Sequence, residues 1–233
     1  MSLHVQLYSA GADSFIGYHY LSKKLGHPPH TIYFNLNHKY YKEEIHTIIT
    51  TLPNTEIVND ILHLGLLENH NAHIPYRNVL LITMVAAKYA YVNDEVYIYI
   101  NSMADDRVSD QGKEFIEEMN ELVNRHTINA KFHIQSSMPL EWTKFDAAEW
   151  FVQHYPASWL ETKTFSCYNP INGKHCNACN ACFRRNTLLF HVGIKRPFEN
   201  RELLMNYKKK IDNYPPKRQK AMKAYLEYLC KGD

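Results

Sequence analysis

The chain has 233 residues, 45% of them hydrophobic and 21% charged, with a formal net charge of +2 and an unusual richness in Tyr and His. That is enough for one sizeable core with an appendage, and the longest apolar run, residues 79–87, is far short of the ~20 residues a membrane-spanning helix needs. The small net charge is unevenly spread: from Lys195 onward eleven Lys/Arg face five Asp/Glu, so the tail is +6 and the remainder −4.

The opening residues lack a basic n-region, an apolar stretch and a small-residue cleavage site, so no signal peptide is expected and a reducing, cytoplasmic setting is. Leu3 to Tyr8 alternates as a strand and stops at Ser9-Ala10-Gly11-Ala12-Asp13-Ser14, after which a helical pattern runs to Leu25. A strand, a small-residue turn and a helix open a nucleotide-binding α/β unit. Ser9, Ala10 and Gly11 let backbone N–H groups approach a phosphate, and Asp13 and Ser14 add a metal or capping oxygen and a hydroxyl. Neither a GxxxxGK[ST] nor a GxGxxG pattern is present, which removes the main support for P-loop and dinucleotide readings.

A second strand is expected at Thr31-Ile32-Tyr33-Phe34-Asn35, and a helix from about Tyr40 to Leu52 with Ile45, Ile48, Ile49 and Leu52 on one face. Glu56-Ile57-Val58 is a short strand candidate. Ile74-Pro75-Tyr76-Arg77-Asn78 precedes an apolar helix, and Glu95 to Ile100, apolar on both faces, suits a central parallel strand. Residues 104–112 form a polar loop carrying Asp105, Asp106 and Asp110. A helix over residues 113–124, a strand over residues 131–134 and a helix from about Lys144 to His154 follow. Alternating strands and helices predict a parallel, helix-flanked sheet whose ligands bind at the strands' C-terminal edge, where Arg77 and Asn78 fall.

Four of the five cysteines, Cys167, Cys176, Cys179 and Cys182, are spaced C-x8-C-x2-C-x2-C. Four thiolates this close suit one tetrahedral zinc ion. An iron–sulfur cluster is the alternative, although the C-x3-C-P continuation of the ferredoxin run is absent. The tail reads as two helices broken at Asn213-Tyr214-Pro215-Pro216, with basic clusters at Lys208-Lys209-Lys210 and Lys217-Arg218-Gln219-Lys220. Such clusters are solvated helix faces or a surface for RNA or another anion. Three regions are expected: 1–155 nucleotide-binding, 156–194 zinc-binding and 195–233 a basic helical tail.

Taken together, these segments resemble the 7-cyano-7-deazaguanine synthase family, QueC, a branch of the PP-loop ATP pyrophosphatases. Ser9 to Ser14 is similar to the family's SGGxDS loop, and Ile74 to Asn78 to its VPGRN. Thr164-Phe165-Ser166-Cys167-Tyr168-Asn169 with Cys176, Cys179, Cys182 and Arg185 is similar to T-x-[ST]-C-Y-N…C-G-x-C-x-x-C-x-x-R. The chain departs from the family at Ala10 and Tyr76, each standing where Gly is usual. The family's SGYPDCR segment is barely matched, its Arg falling on Gly112 when Phe115 is aligned.

The resemblance implies a HUP-like, Rossmann-like fold, often a homodimer, with ATP and Mg²⁺ at residues 9–14 and structural Zn²⁺ on the four cysteines. It also implies that 7-carboxy-7-deazaguanine and ammonia are converted through the amide to the 7-cyano nitrile at the expense of ATP. Carried over by position, Ser9, Ala10, Gly11, Ala12, Asp13, Ser14, Arg77 and Asn78 bind ATP. Asp13, Ser14, Asp110 and Lys144 are the catalytic candidates. Two other outcomes stay open: a relative that conjugates such a carboxylate to a protein or nucleic-acid acceptor, as in antiphage or phage modification systems, and a nucleotide- or RNA-binding module with a degenerate loop.

Overall fold

A computed structural model describes residues 2–59, 63–69, 74–106 and 109–231. Two positions of the acidic 104–112 loop, 107 and 108, and part of the stretch after the third strand therefore lie outside the described residues. Five strands, β1 (Ser2–Leu7), β2 (His30–Phe34), β3 (Glu56–Val58), β4 (Glu95–Ile100) and β5 (Lys131–Ser136), form one parallel sheet in the order β3-β2-β1-β4-β5. The order reverses between β1 and β4, which opens a crevice at their C-terminal ends.

Helices lie on both faces of the sheet. Val5, Leu7, Val96, Ile98, Phe132 and Ile134 pack against α3 (Arg77–Lys88) and α4 (Lys113–Arg125). Tyr8 and Tyr33 turn to the other face, where α1 (Ala12–Leu25), α2 (Tyr41–Thr51) and α5 (Lys144–His154) cover them. Leu3, Val5 and Leu7 make one face of β1 apolar, whereas its other face carries His4 and the buried Gln6. Gly17 lets α1 lie close to the strand ends: a Cβ there would sit 2.6 Å from both Asn101 Oδ1 and Ser137 Oγ. The α2 stripe differs from the sequence expectation by one position. Ile49 is exposed, and Glu44 is buried beside Ile48 instead.

Beyond α5 come α6 (Ser158–Thr162), α7 (Asn180–His191), α8 (Arg201–Lys210) and α9 (Pro216–Lys231). They build a third core of their own, in which Phe183, Tyr207 and Tyr225 stack beside Cys167 and Cys182. The break between the tail helices falls where Pro215 and Pro216 stand, since Pro cannot donate the backbone bond a continuous helix needs. No helix among the described residues is long and apolar enough to cross a membrane.

Candidate active site

The loop after β1 delivers the first group of candidates to the crevice. Ala10 takes φ 57°, a left-handed conformation that costs a non-glycine residue roughly 1 kcal/mol. The Ser9 N–H donates to Ser14 Oγ at 3.3 Å, and that hydroxyl donates to the Gly11 carbonyl at 3.0 Å, closing the loop on itself. No side chain caps α1 at Gly11, so its first N–H groups and the positive end of its dipole remain for an anion. The Phe165 N–H donates to the Ala10 carbonyl at 3.0 Å, tying the segment before the cysteines to the loop.

Opposite that loop stands Lys144, the first residue of α5. Its Nζ lies 2.5 Å from Asp13 Oδ2 and 3.1 Å from Asp106 Oδ1. Desolvation works to lower the Lys144 pKa, but the two carboxylates outweigh it and hold the ammonium charged well above the usual lysine range. Burial pushes the Asp106 carboxyl up, against the pull of Lys144. A Thr143–Asp146 capping box fixes the start of α5, and the Lys144 N–H donates to Asp105 Oδ1 at 3.1 Å.

Two cavities meet at this corner. The larger, about 470 Å³, is lined by the loop after β1, Asp105, Asp106 and Lys144 on one side. Tyr168 and Arg184 of the cysteine segment and Tyr207, Tyr214 and Arg218 of the tail line the other. The smaller, about 180 Å³, runs under the ends of β1, β2 and β4 among Leu7, Ile32, Phe34, Leu81 and Ile100, with Asn78 at its edge. Ser9, Asp13, Glu44, Arg77 and Gln111 line both.

Most of the predicted site residues therefore converge, with Ser9, Gly11, Ala12, Asp13, Arg77 and Lys144 lining the larger cavity and Ser14 and Asn78 the smaller. Ala10 is buried behind the loop. Asp110 lines neither cavity. Its Oδ2 accepts from the Asn78 N–H at 3.2 Å and its carbonyl from Asn78 Nδ2 at 2.8 Å, so it caps α3. Asp106, four positions earlier, is the loop carboxylate that reaches Lys144.

The tail departs most from a solvated-face reading. Arg218 stacks over Tyr214, 4.6 Å from the ring centroid, and pairs at 3.4 Å with Asp105, whose side chain is fully buried. Lys217 pairs with Asp146 and Glu149 of α5. These contacts fold the tail over the larger cavity. Lys208, Lys209, Lys210 and Lys220 keep the exposed placement expected of a solvated cluster.

The four cysteine sulfurs lie within 4.8 Å of one another, with Cys176 and Cys182 at 3.8 Å. Zn–S bonds of about 2.3 Å place tetrahedral sulfurs about 3.8 Å apart, so one ion fits the cradle. A cluster of several irons and sulfides would spread the ligands further. Backbone N–H groups of Cys176, Ala178 and Cys182 point at the sulfurs of Cys167, Cys176 and Cys179 at 3.3, 3.4 and 3.5 Å, as donors stabilising thiolate charge do. Buried Arg185 stands nearby, donating to the Glu161 carbonyl at 2.7 Å.

A family model described as queuosine biosynthesis protein QueC matches residues 48–193. A 7-cyano-7-deazaguanine synthase from Leptospira biflexa serovar Patoc is 29% identical over 135 residues, covering 54% of this chain and 52% of that protein. One from Buchnera aphidicola subsp. Schizaphis graminum is 26% identical over 135 residues, covering 53% and 56%. The chain spans about half the length of the curated relatives it matches. Residues 9–14 and the tail fall outside the stretch matched by the family model.

Proposed function

This chain belongs to the QueC family of queuosine biosynthesis proteins, and on that premise we propose that it uses ATP to activate a 7-deazaguanine carboxylate, aminates it to the amide, and uses a second ATP to activate the amide oxygen so that it leaves and the nitrile forms. The observation that carries the reading is the meeting, beside residues 9–14, of a narrow slot bounded by Leu7, Ile32, Phe34 and Ile100 with a larger chamber. The slot suits an adenine ring, and residues 9–14 suit the phosphates beneath it. The chamber, walled by Tyr168, Tyr207, Arg184 and Arg218, suits a flat, negatively charged heterocycle.

The chemistry asks little covalent work of the protein. A carboxylate is a poor electrophile, and attack of its oxygen on the α-phosphorus of ATP, with pyrophosphate leaving, makes that oxygen a leaving group. Lys144 is suited to the negative charge that gathers on phosphorus, and the α1 N-terminus to the phosphate oxygens. Asp13 and Asp106 are the oxygen donors suited to Mg²⁺, which would screen the phosphate charge when bound. The cysteines suit structural zinc, because four thiolates leave no coordination position for substrate. The tail lying over the chamber favours a small acceptor such as ammonia over a protein amine or a nucleic acid.

The test is pyrophosphate exchange into ATP by zinc-loaded protein, which should depend on 7-carboxy-7-deazaguanine, followed by amide and nitrile formation with ammonium. Absence of exchange with that carboxylate overturns the substrate assignment.

A further inference from the structure

Amination of an acyl adenylate removes two protons from nitrogen. Ammonium must lose one before its lone pair is free, and the nitrogen must lose another as the adduct collapses. The corner therefore needs a proton acceptor where the nucleotide and carboxylate meet. Among the described residues two carboxylates line both cavities, Asp13 and Glu44. Asp13 is held by the Lys144 ammonium. Among the described residues Glu44 has no ion pair with a lysine or arginine. Its Oε2 accepts from the Tyr33 hydroxyl at 2.9 Å and lies 3.2 Å from His38 Nε2, off the line of a hydrogen bond; Oε1 carries neither contact. Both Glu44 and His38 are buried.

We propose that Glu44, backed by His38, is the proton acceptor of the amination step. Glu44 takes the first proton from ammonium and passes it to the His38 imidazole. The ammonia lone pair attacks the acyl carbon, Glu44 takes the second proton as the adduct collapses, and the carbon–oxygen bond to AMP breaks with its electron pair leaving on AMP. Atoms and charges balance with no further reactant. His38 stands outside both cavities, so it stores the proton away from the reacting carbon. Residues 38 and 44 also precede the stretch matched by the family model, so no family correspondence assigns them.

This inference rests on the amidation reading, and the experiment separates the two. Glu44→Gln and His38→Gln are assayed for pyrophosphate exchange with 7-carboxy-7-deazaguanine, and for product formation with ammonium and with hydroxylamine. Hydroxylamine is largely unprotonated at neutral pH and needs no initial deprotonation. Glu44→Gln keeps an oxygen for Tyr33, so exchange should fall far less than amide formation does. Ammonium-dependent amide formation should fall about 10²–10⁴-fold, and hydroxamate formation should fall far less. His38→Gln should follow the same pattern with a smaller drop. If ammonium and hydroxylamine products fall equally, or exchange falls as far as amide formation, Glu44 is only a structural or binding group and the inference is overturned. If Glu44→Gln does not fold, Glu44→Asp replaces it, and an ammonium rate no lower relative to hydroxylamine than in the parent overturns the proposal. A parent protein without exchange defeats the amidation reading instead.

Discussion

On one side of the larger cavity, Asp13, Asp106 and Lys144 hang from two helices and a loop anchored at the ends of parallel strands. On the other, Tyr207 and Arg218 hang from α8 and α9, and Tyr214 from the turn between them, beside α7 and the cysteine cluster. The first wall is set by topology: the sheet's order of strands makes the crevice, and small residues let backbone into it. The second wall has no sheet, and its order comes from stacked aromatics and four sulfurs. Damage to the first should therefore remove chemistry and spare the fold. Damage to the second should remove fold first and chemistry with it.

The cysteine cluster gives the sharpest contrast. Cys179→Ser should abolish metal retention and cost several kcal/mol, because binding energy at a structural site is folding energy. Metal content by elemental mass spectrometry and a thermal melt check this. The C-terminal aromatics should loosen together, seen as lost near-ultraviolet circular dichroism, while the sheet keeps much of its far-ultraviolet signal. A variant that keeps both its melt and its turnover without metal would refute the structural role.

Lys144→Ala probes the opposite wall. Removing the ammonium leaves Asp13 and Asp106 facing one another and takes away the charge opposite the developing phosphorane, so turnover should fall on the order of 10³-fold. Because Lys144 remains about a third exposed, at 31%, the two freed carboxylates can hydrate or share a proton, and the stability loss should stay within about 2 kcal/mol. Steady-state kinetics beside a urea titration separate the two effects. A melt as damaged as that of Cys179→Ser would erase the distinction between the walls.

What the sequence made legible follows the same division. Strand periodicity, the small-residue turn after β1, the Asn78 helix start and the cysteine spacing are local signals, and each element or cluster appears where its signal stands. The groups that close the site are long-range. Asp106 and Asp110 are equivalent in the sequence, and only the path of the 104–112 loop brings one to Lys144 and the other to Asn78. Helix α7 hid among Asn and Cys residues that favour turns. Glu44 hid on a helix whose Ile45, Ile48, Ile49 and Leu52 suggested a different buried stripe. Its one available sign was an acid four residues before Ile48, on the same face. Lys217 and Arg218 read as solvated because their partners, Asp146, Glu149 and Asp105, lie 68 to 113 positions away.

Arg218→Ala should give the smallest of these effects and the most informative one, because the residue joins the two walls. Its guanidinium reaches from α9 to Asp105, and Asp105 in turn accepts from the Lys144 N–H at the start of α5. Without it, Asp105 is a fully buried carboxylate that must recruit a proton or water, and the tail loses a tie to the sheet side. Lys217 still holds α9 to α5 through Asp146 and Glu149, so the tail should stay folded and the melt should drop by a few degrees, about 1–2 kcal/mol. The KM for the carboxylate substrate should rise about tenfold while kcat changes less, the pattern of a lost binding contact. Arg218→Lys keeps the charge but not the flat stacking on Tyr214, and should recover only part of the loss. If KM is unchanged in both variants, the tail covers the cavity without contributing to what it binds.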